Sequence, residues 1–170
     1  TLMRSSAALD VYKRQILQIS VMNNSGEILL NSYIRPEHKT EWTAAEAINH
    51  ISPQMVKNAP LMSDIAPLIS KIMSGAKVAV AYNIDFDWHF ISKALEESGF
   101  DFENDTPELR CCMKKFSEIY GEWDSERLRY RWQKLSTAAS YYNIPWRGQA
   151  HGSLADTFMC RDVWNKMNDD

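Results

Sequence analysis

The chain has 170 residues, 45% hydrophobic and 24% charged, with 19 basic against 22 acidic side chains and a formal net charge of −3. These proportions describe one ordinary domain able to bury a core, and they exclude collagenous, disordered and disulfide-framework chains. The mild acidity speaks against coating duplex nucleic acid by bulk charge, and leaves room for a small site that grips a few nucleotides. Three cysteines, two of them adjacent (Cys111 and Cys112), suit free thiols in a reducing compartment, so a cytoplasmic location is expected. No run reaches the roughly eighteen apolar residues needed to cross a bilayer, and no membrane is expected among the partners.

Residues 1–15, TLMRSSAALDVYKRQ, stand apart from the rest. They have no clear apolar period, and 10–15 resemble the translation of a transposase mosaic-end adaptor used in sequencing libraries. They are expected to be a non-native prefix, with the domain over 16–170. The alternative is a native strand with Ala7, Ala8, Leu9 and Val11 as its apolar residues. From Ile16 the pattern is regular. Ile16, Leu17, Ile19 and Val21 predict a strand, Asn24-Ser25-Gly26 a turn, and 28–34 a second strand closed by Pro36, together a β-hairpin. Thr43 with Glu46 three residues on reads as a capping box for a short helix to about residue 49, and Ser52-Pro53 opens another. Leu61, Ile65, Leu68, Ile69 and Ile72 repeat at helical spacing over 61–73, with Gly75 as the stop. The apolar run 78–82 reads as a strand buried on both faces, and a helix follows over 86–98. A short strand at 109–113 passes into a helix ending near Tyr120, and 121–131 reads as a long polar, aromatic loop. Helices over 133–142 and 153–167 close the chain. A hairpin followed by alternating strands and helices predicts a single α/β domain, a mixed sheet flanked by helices.

Chemistry concentrates on two helices. Asp87, Ile91, Ala94, Leu95 and Ser98 share one stripe, which places a carboxylate on an inner face just beyond the C-terminal end of a buried strand. An ionised carboxylate there costs several kcal/mol, roughly, unless a charge or metal meets it, and ligands of open α/β sheets bind at that end. Asp156, Cys160, Val163 and Met167 repeat the pattern, and His151 precedes them in a loop. Taken singly, an Asp near a helix N-terminus is more often a cap or dipole partner, and a loop histidine is mostly solvated. The three together point to a site.

At these residues the chain resembles the DEDDh, or DnaQ-like, 3′→5′ exonucleases of the ribonuclease-H-like fold. Asn83-Ile84-Asp85-Phe86-Asp87 matches that family's N-x-x-F-D, and His151-Gly152-Ser153-Leu154-Ala155-Asp156 matches its closing H-x-x-x-x-D. The hairpin, the segment Asn49-His50-Ile51-Ser52 and the strand 78–82 follow in the family's order, so the likeness covers about 16–167. The resemblance implies that Asp87 and Asp156 are metal carboxylates for Mg2+ or Mn2+ in a two-metal site and that His151 is the general base. It implies the 3′ end of single-stranded or frayed DNA as substrate, short RNA as the next choice, and a DNA polymerase as a candidate partner. His50, Asn83 and Phe86 would border the terminal nucleotide, with plain core as the alternative for Phe86. Arg127, Arg129, Arg131 and Lys134, interleaved with Tyr130 and Trp132, form a basic-aromatic patch. Arg129 and Arg131 are the candidates there for holding phosphates, and a solvated loop anchored by Trp132 is the bland reading. The cysteines lack zinc spacing and read as core.

The chain departs from the family at its first motif. The D-x-E of the opening strand belongs upstream of Ile16, where Asp10-Val11-Tyr12 offers one acid and a Tyr in place of the Glu. Two of four metal carboxylates are therefore expected to be absent and the first strand absent or replaced. The chain is expected to bind metal poorly and to be close to inactive. The rival reading is a non-catalytic nucleic-acid-binding or polymerase-associated module on the same fold.

Overall fold

The computed structural model describes residues 2–4 (backbone only), 15–100, 106–147 and 152–168. Strands of period two and helices of period 3.6 sort their apolar residues onto the two faces of one sheet. That sheet has the order β3-β2-β1-β4-β5, from β1 (Leu2–Arg4), β2 (Gln18–Asn23), β3 (Ile28–Tyr33), β4 (Val78–Ala81) and β5 (Glu108–Cys111). β2 runs antiparallel to both its neighbours, whereas β1, β4 and β5 are parallel. The central place is thus taken by backbone from the first four residues, with Arg4 opposite Val21 on one side and Ala81 on the other. Ala7, Ala8, Leu9, Asp10 and Val11 lie outside the described residues.

Alternation decides which face each strand residue feeds. Ile19, Val21 and Ala79 pack under α3 (Met62–Ser74) and α4 (Ile84–Glu97), against Ile69, Met73, Ile91 and Leu95. Their neighbours Met22 and Val80 point the other way, into a second core with α5 (Cys112–Tyr120), α6 (Leu135–Tyr141) and α7 (Ser153–Lys166). Phe116, Met159 and Cys160 fill that second layer, where a fully buried large side chain is worth about 1.5–3 kcal/mol. The β2–β3 turn needs Gly26: its φ is +93°, and a Cβ there would come within 1.7 Å of the Arg161 guanidinium.

Two local expectations are corrected. α1 (Thr43–Asn49) is not opened by a Thr43 capping box: its N-cap is Trp42, which makes no side-chain cap bond, and the Glu46 N–H donates to the Trp42 carbonyl at 2.9 Å. Trp42 is buried with Leu17, Ala45, Ile51 and Val56 at the sheet edge, beside α2 (Pro53–Val56), and its indole N–H donates to the Ile51 carbonyl at 2.6 Å. Tertiary burial of one indole sets that helix start. The supposed loop 121–131 holds a small hairpin, β6 (Trp123–Asp124) with β7 (Arg129–Tyr130). Among the described residues no helix is long and apolar enough to cross a membrane.

Candidate active site

β4 ends at Ala81, and the chain turns at Asn83 directly into α4. The N–H groups of Phe86 and Asp87 both donate to the Asn83 carbonyl at 3.1 Å, closing the first helical turn over the C-terminal end of the strand. Asp87 then points inward and is 3% exposed, at the head of the stripe that continues through Ile91 and Leu95. Phe86 points outward, 42% exposed, with its ring edge-on to Phe90 at 5.0 Å. The core reading of Phe86 is therefore replaced by a surface aromatic one residue from the buried acid.

α7 supplies the second acid. Asp156 sits half-buried in its first turn, and Cys160 lies one turn on, fully enclosed. The Cys160 thiol is pushed well above its ordinary pKa, first by its hydrogen bond with Cys112, then by burial, then by the charges of Cys112 and Asp87. α4 and α7 start at the same end of the sheet, since Ser153 is bonded to Gln18 at the start of β2, which runs antiparallel to β1 and so begins beside the C-terminal ends of β1 and β4. The start of α7 is held from a distant strand: the Ser153 N–H donates to the Gln18 side-chain oxygen at 3.2 Å, and Thr157 Oγ1 donates to the Ser153 carbonyl at 2.7 Å. Gln18 went unnoticed in the sequence because a polar residue between Leu17 and Ile19 is what any half-exposed strand shows. The Ser153 hydroxyl is buried and makes no hydrogen bond among the described residues. His151 and Asp10 lie outside the described residues.

The other substrate candidates divide. His50 is exposed at the C-cap of α1 in the left-handed region, φ +57°, with its N–H on the Glu46 carbonyl at 2.8 Å. Arg129 lies over the Trp132 ring, 3.7 Å from its centroid, whereas Arg131 is paired with Glu122 at 2.9 Å. Lys114 bonds Asp85 at 2.5 Å, which holds its ammonium above the usual lysine range, and the nearby Arg129 charge opposes that slightly. The hairpin is thus brought beside Asp85, two residues before Asp87. Tyr82, the residue after β4, donates its hydroxyl to the Gln133 carbonyl at 2.8 Å and ties the far leg of the hairpin to the same sheet end. Burial, then the neighbouring thiols, raise the Tyr82 phenol beyond its ordinary range. The cysteines are free, with Cys112 and Cys160 in the core as expected and Cys111 half-buried, its thiol donating to the Tyr82 carbonyl at 3.3 Å.

Among the described residues, no three His, Cys, Asp or Glu side chains gather closely enough to hold a metal ion.

A five-stranded mixed sheet of this order with helices on both faces is an α/β ribonuclease-H-like exonuclease fold. The profile of the RNase_T family, described as exonuclease, matches residues 7–163, and the chain belongs to that family. A curated relative, the 3′-5′ exonuclease DinG of Staphylococcus haemolyticus (strain JCSC1435), is 38% identical over 58 residues, 34% of this chain and 6% of that protein. The chain therefore spans a small part of that relative. The nuclease domain of 3′hExo, a DEDDh family member bound to rAMP, superposes with a TM-score of 0.74 at 15% identity, covering 99% of this chain and 92% of the other. Exonuclease X in complex with 5′ overhanging duplex DNA gives a TM-score of 0.64 at 17% identity, with 98% and 90% covered.

Proposed function

We propose that this domain is built for 3′→5′ exonucleolytic removal of nucleotides from single-stranded or frayed DNA, with short RNA as the next substrate. The observation that carries the reading is the burial of Asp87 in the first turn of α4, at the sheet end where α7, the helix of Asp156, also starts. Asp87 and Asp156 are the carboxylates assigned to Mg2+ or Mn2+. His151 is assigned as the base that takes a proton from the attacking water on its imidazole, since a histidine titrates near working pH. His50, Asn83 and Phe86 receive the terminal nucleotide, and Arg129 and Arg131 stand on the approach. The free thiols fit a cytoplasmic location. No comparison supports a polymerase partner, and the reading includes none.

The acid set is incomplete in this chain. β1 reads Leu2-Met3-Arg4 and carries no carboxylate, and Tyr12 stands two residues after Asp10 where a second acid is wanted. The chain as it stands is therefore expected to be close to inactive, and this favours as second reading a binding module that grips 3′ ends without cutting them. Degradation of a 3′-labelled single strand across a Mg2+ titration tests both. The expectation is trace release, abolished by Asp87→Asn. Brisk release overturns the inactivity, and trace release indifferent to Asp87→Asn overturns the assignment of the site.

A further inference from the structure

The β6–β7 hairpin and the residues just after it display large apolar surface to solvent. Trp123 is 54% exposed, Trp132 47% and Tyr130 37%, with Leu128 at the tip 77% exposed. Two-residue strands cannot hold such a hairpin by themselves, so its shape is braced in other ways. Asp124 Oδ1 accepts the N–H groups of Glu126 and Arg127 at 3.2 and 3.1 Å, and Arg131 is bonded to Glu122 through both backbone and side chain. Trp123 stacks edge-on against Tyr130 at 5.2 Å. The outcome is a braced aromatic ledge, and rings held in place by such contacts lower the ordering cost of binding.

Charge selects the occupant. Residues 121–134 contain four basic and three acidic side chains in a chain whose net charge is −3, so the ledge carries a small positive excess on an acidic protein. Arg129 has no carboxylate partner among the described residues; its guanidinium carbon lies 3.7 Å from the Trp132 ring centroid, which leaves N–H groups for a phosphate, and Trp132 is itself exposed enough to meet a base. Open ring faces accept bases that are unstacked, which single strands offer and duplexes withhold. The ledge sits by the sheet end from which α4 starts: Tyr82, just after β4, is bonded to Gln133, and β7 packs on α5, whose Lys114 bonds Asp85 in the first turn of α4.

We infer that the β6–β7 hairpin, with Trp132 and Lys114, is a platform for a single-stranded polynucleotide that leads its 3′-terminal portion toward the acids of α4 and α7. This rests on the exonuclease reading for its direction. The test is the anisotropy of a 5′-labelled dT12 bound by the full chain in EDTA, beside circular dT12 and a blunt 12-base-pair duplex. Trp132→Ala is expected to weaken dT12 binding about tenfold or more, as loss of one base–aromatic stack implies, while Trp132→Phe stays within about threefold. Arg129→Ala should also lower the salt slope by about 0.7, one phosphate's worth on a single strand. Lys71→Ala, on α3 across the sheet, and the duplex controls should change less than about twofold. Unchanged dT12 affinity in both hairpin variants overturns the platform, as does a sedimentation shift showing that Trp132 is buried in a dimer of the chain. Equal binding of linear and circular dT12 through Trp132 keeps the platform and sinks the exonuclease reading. Preference for the linear strand without Trp132 dependence does the reverse.

Discussion

Replacing Trp42 by Phe isolates the device that sets the α1 turn. The indole is 4% exposed and its N–H donates to the Ile51 carbonyl at 2.6 Å, so the phenyl ring keeps most of the packing and removes the donor. The net hydrogen bond is worth about 0.5–1.5 kcal/mol, and stranding a buried carbonyl raises the total to about 2–3 kcal/mol. For a domain of this size that is a fall of roughly 5–10 °C in Tm. Ile51 follows His50, whose left-handed backbone is held between the Glu46 carbonyl and this anchor, so Trp42→Phe should also weaken binding of a 3′-terminal nucleotide. Urea titration followed by far-ultraviolet circular dichroism reads the stability, and anisotropy of a short oligonucleotide reads the binding. Unfolding free energy within about 0.5 kcal/mol of the parent would refute the claim that the indole N–H, rather than ring packing, fixes this turn.

Three further outcomes follow from single contacts. His50→Gly relieves a left-handed backbone that costs a non-glycine about 1–2 kcal/mol, offset by added chain entropy, so urea melts should show a gain of about 0.5–1 kcal/mol. The same variant should bind oligonucleotides more weakly, and a stabilised variant with full affinity would remove His50 from the substrate face. Gln18→Ala withdraws the acceptor on the Ser153 N–H and should cost about 0.5–1.5 kcal/mol, with faster amide exchange at the start of α7 as the specific sign. Because the Cys160 thiol is held above its unfolded pKa, the folded state keeps a proton that the unfolded chain releases near pH 8.5. Stability should therefore be full below that pH and fall above it by about 1.4 kcal/mol per pH unit, under reducing conditions. A flat profile between about pH 8.5 and 10 would contradict the burial and pairing described for Cys160.

Legibility varied with the range of the cause. The burial of Asp87 was readable because a helical stripe of apolar residues carries its own orientation: an acid at the head of Ile91 and Leu95 faces the core. The turn at Gly26 was readable for the same local reason. Thr43 misled because cap chemistry is local and weak, about 1 kcal/mol, whereas burying Trp42 against Ile51 is worth more and moved the helix start by one residue. The hairpin within 121–131 was hidden because its strands are two residues long, and its braces, Arg131 on Glu122 and Tyr82 on Gln133, join residues 9 and 51 positions apart. Gln18 gave no signal since its partner, Ser153, lies 135 residues away.

By itself the sequence determined a single α/β domain, the buried carboxylate of Asp87, its free thiols and the family to which its motifs belong. Periodicity and short motifs report such things, because each follows from side-chain direction along one element. Tertiary structure decided which elements meet. It set α4 and α7 over the same sheet end, put the backbone of Leu2–Arg4 at the centre of the sheet, turned Phe86 outward, and separated Arg129, stacked on Trp132, from Arg131, paired with Glu122. The placement of α4, α7 and Leu2–Arg4 depends on contacts across long sequence separations. Their free energy depends on the packing of whole layers, and no window of neighbouring residues contains it.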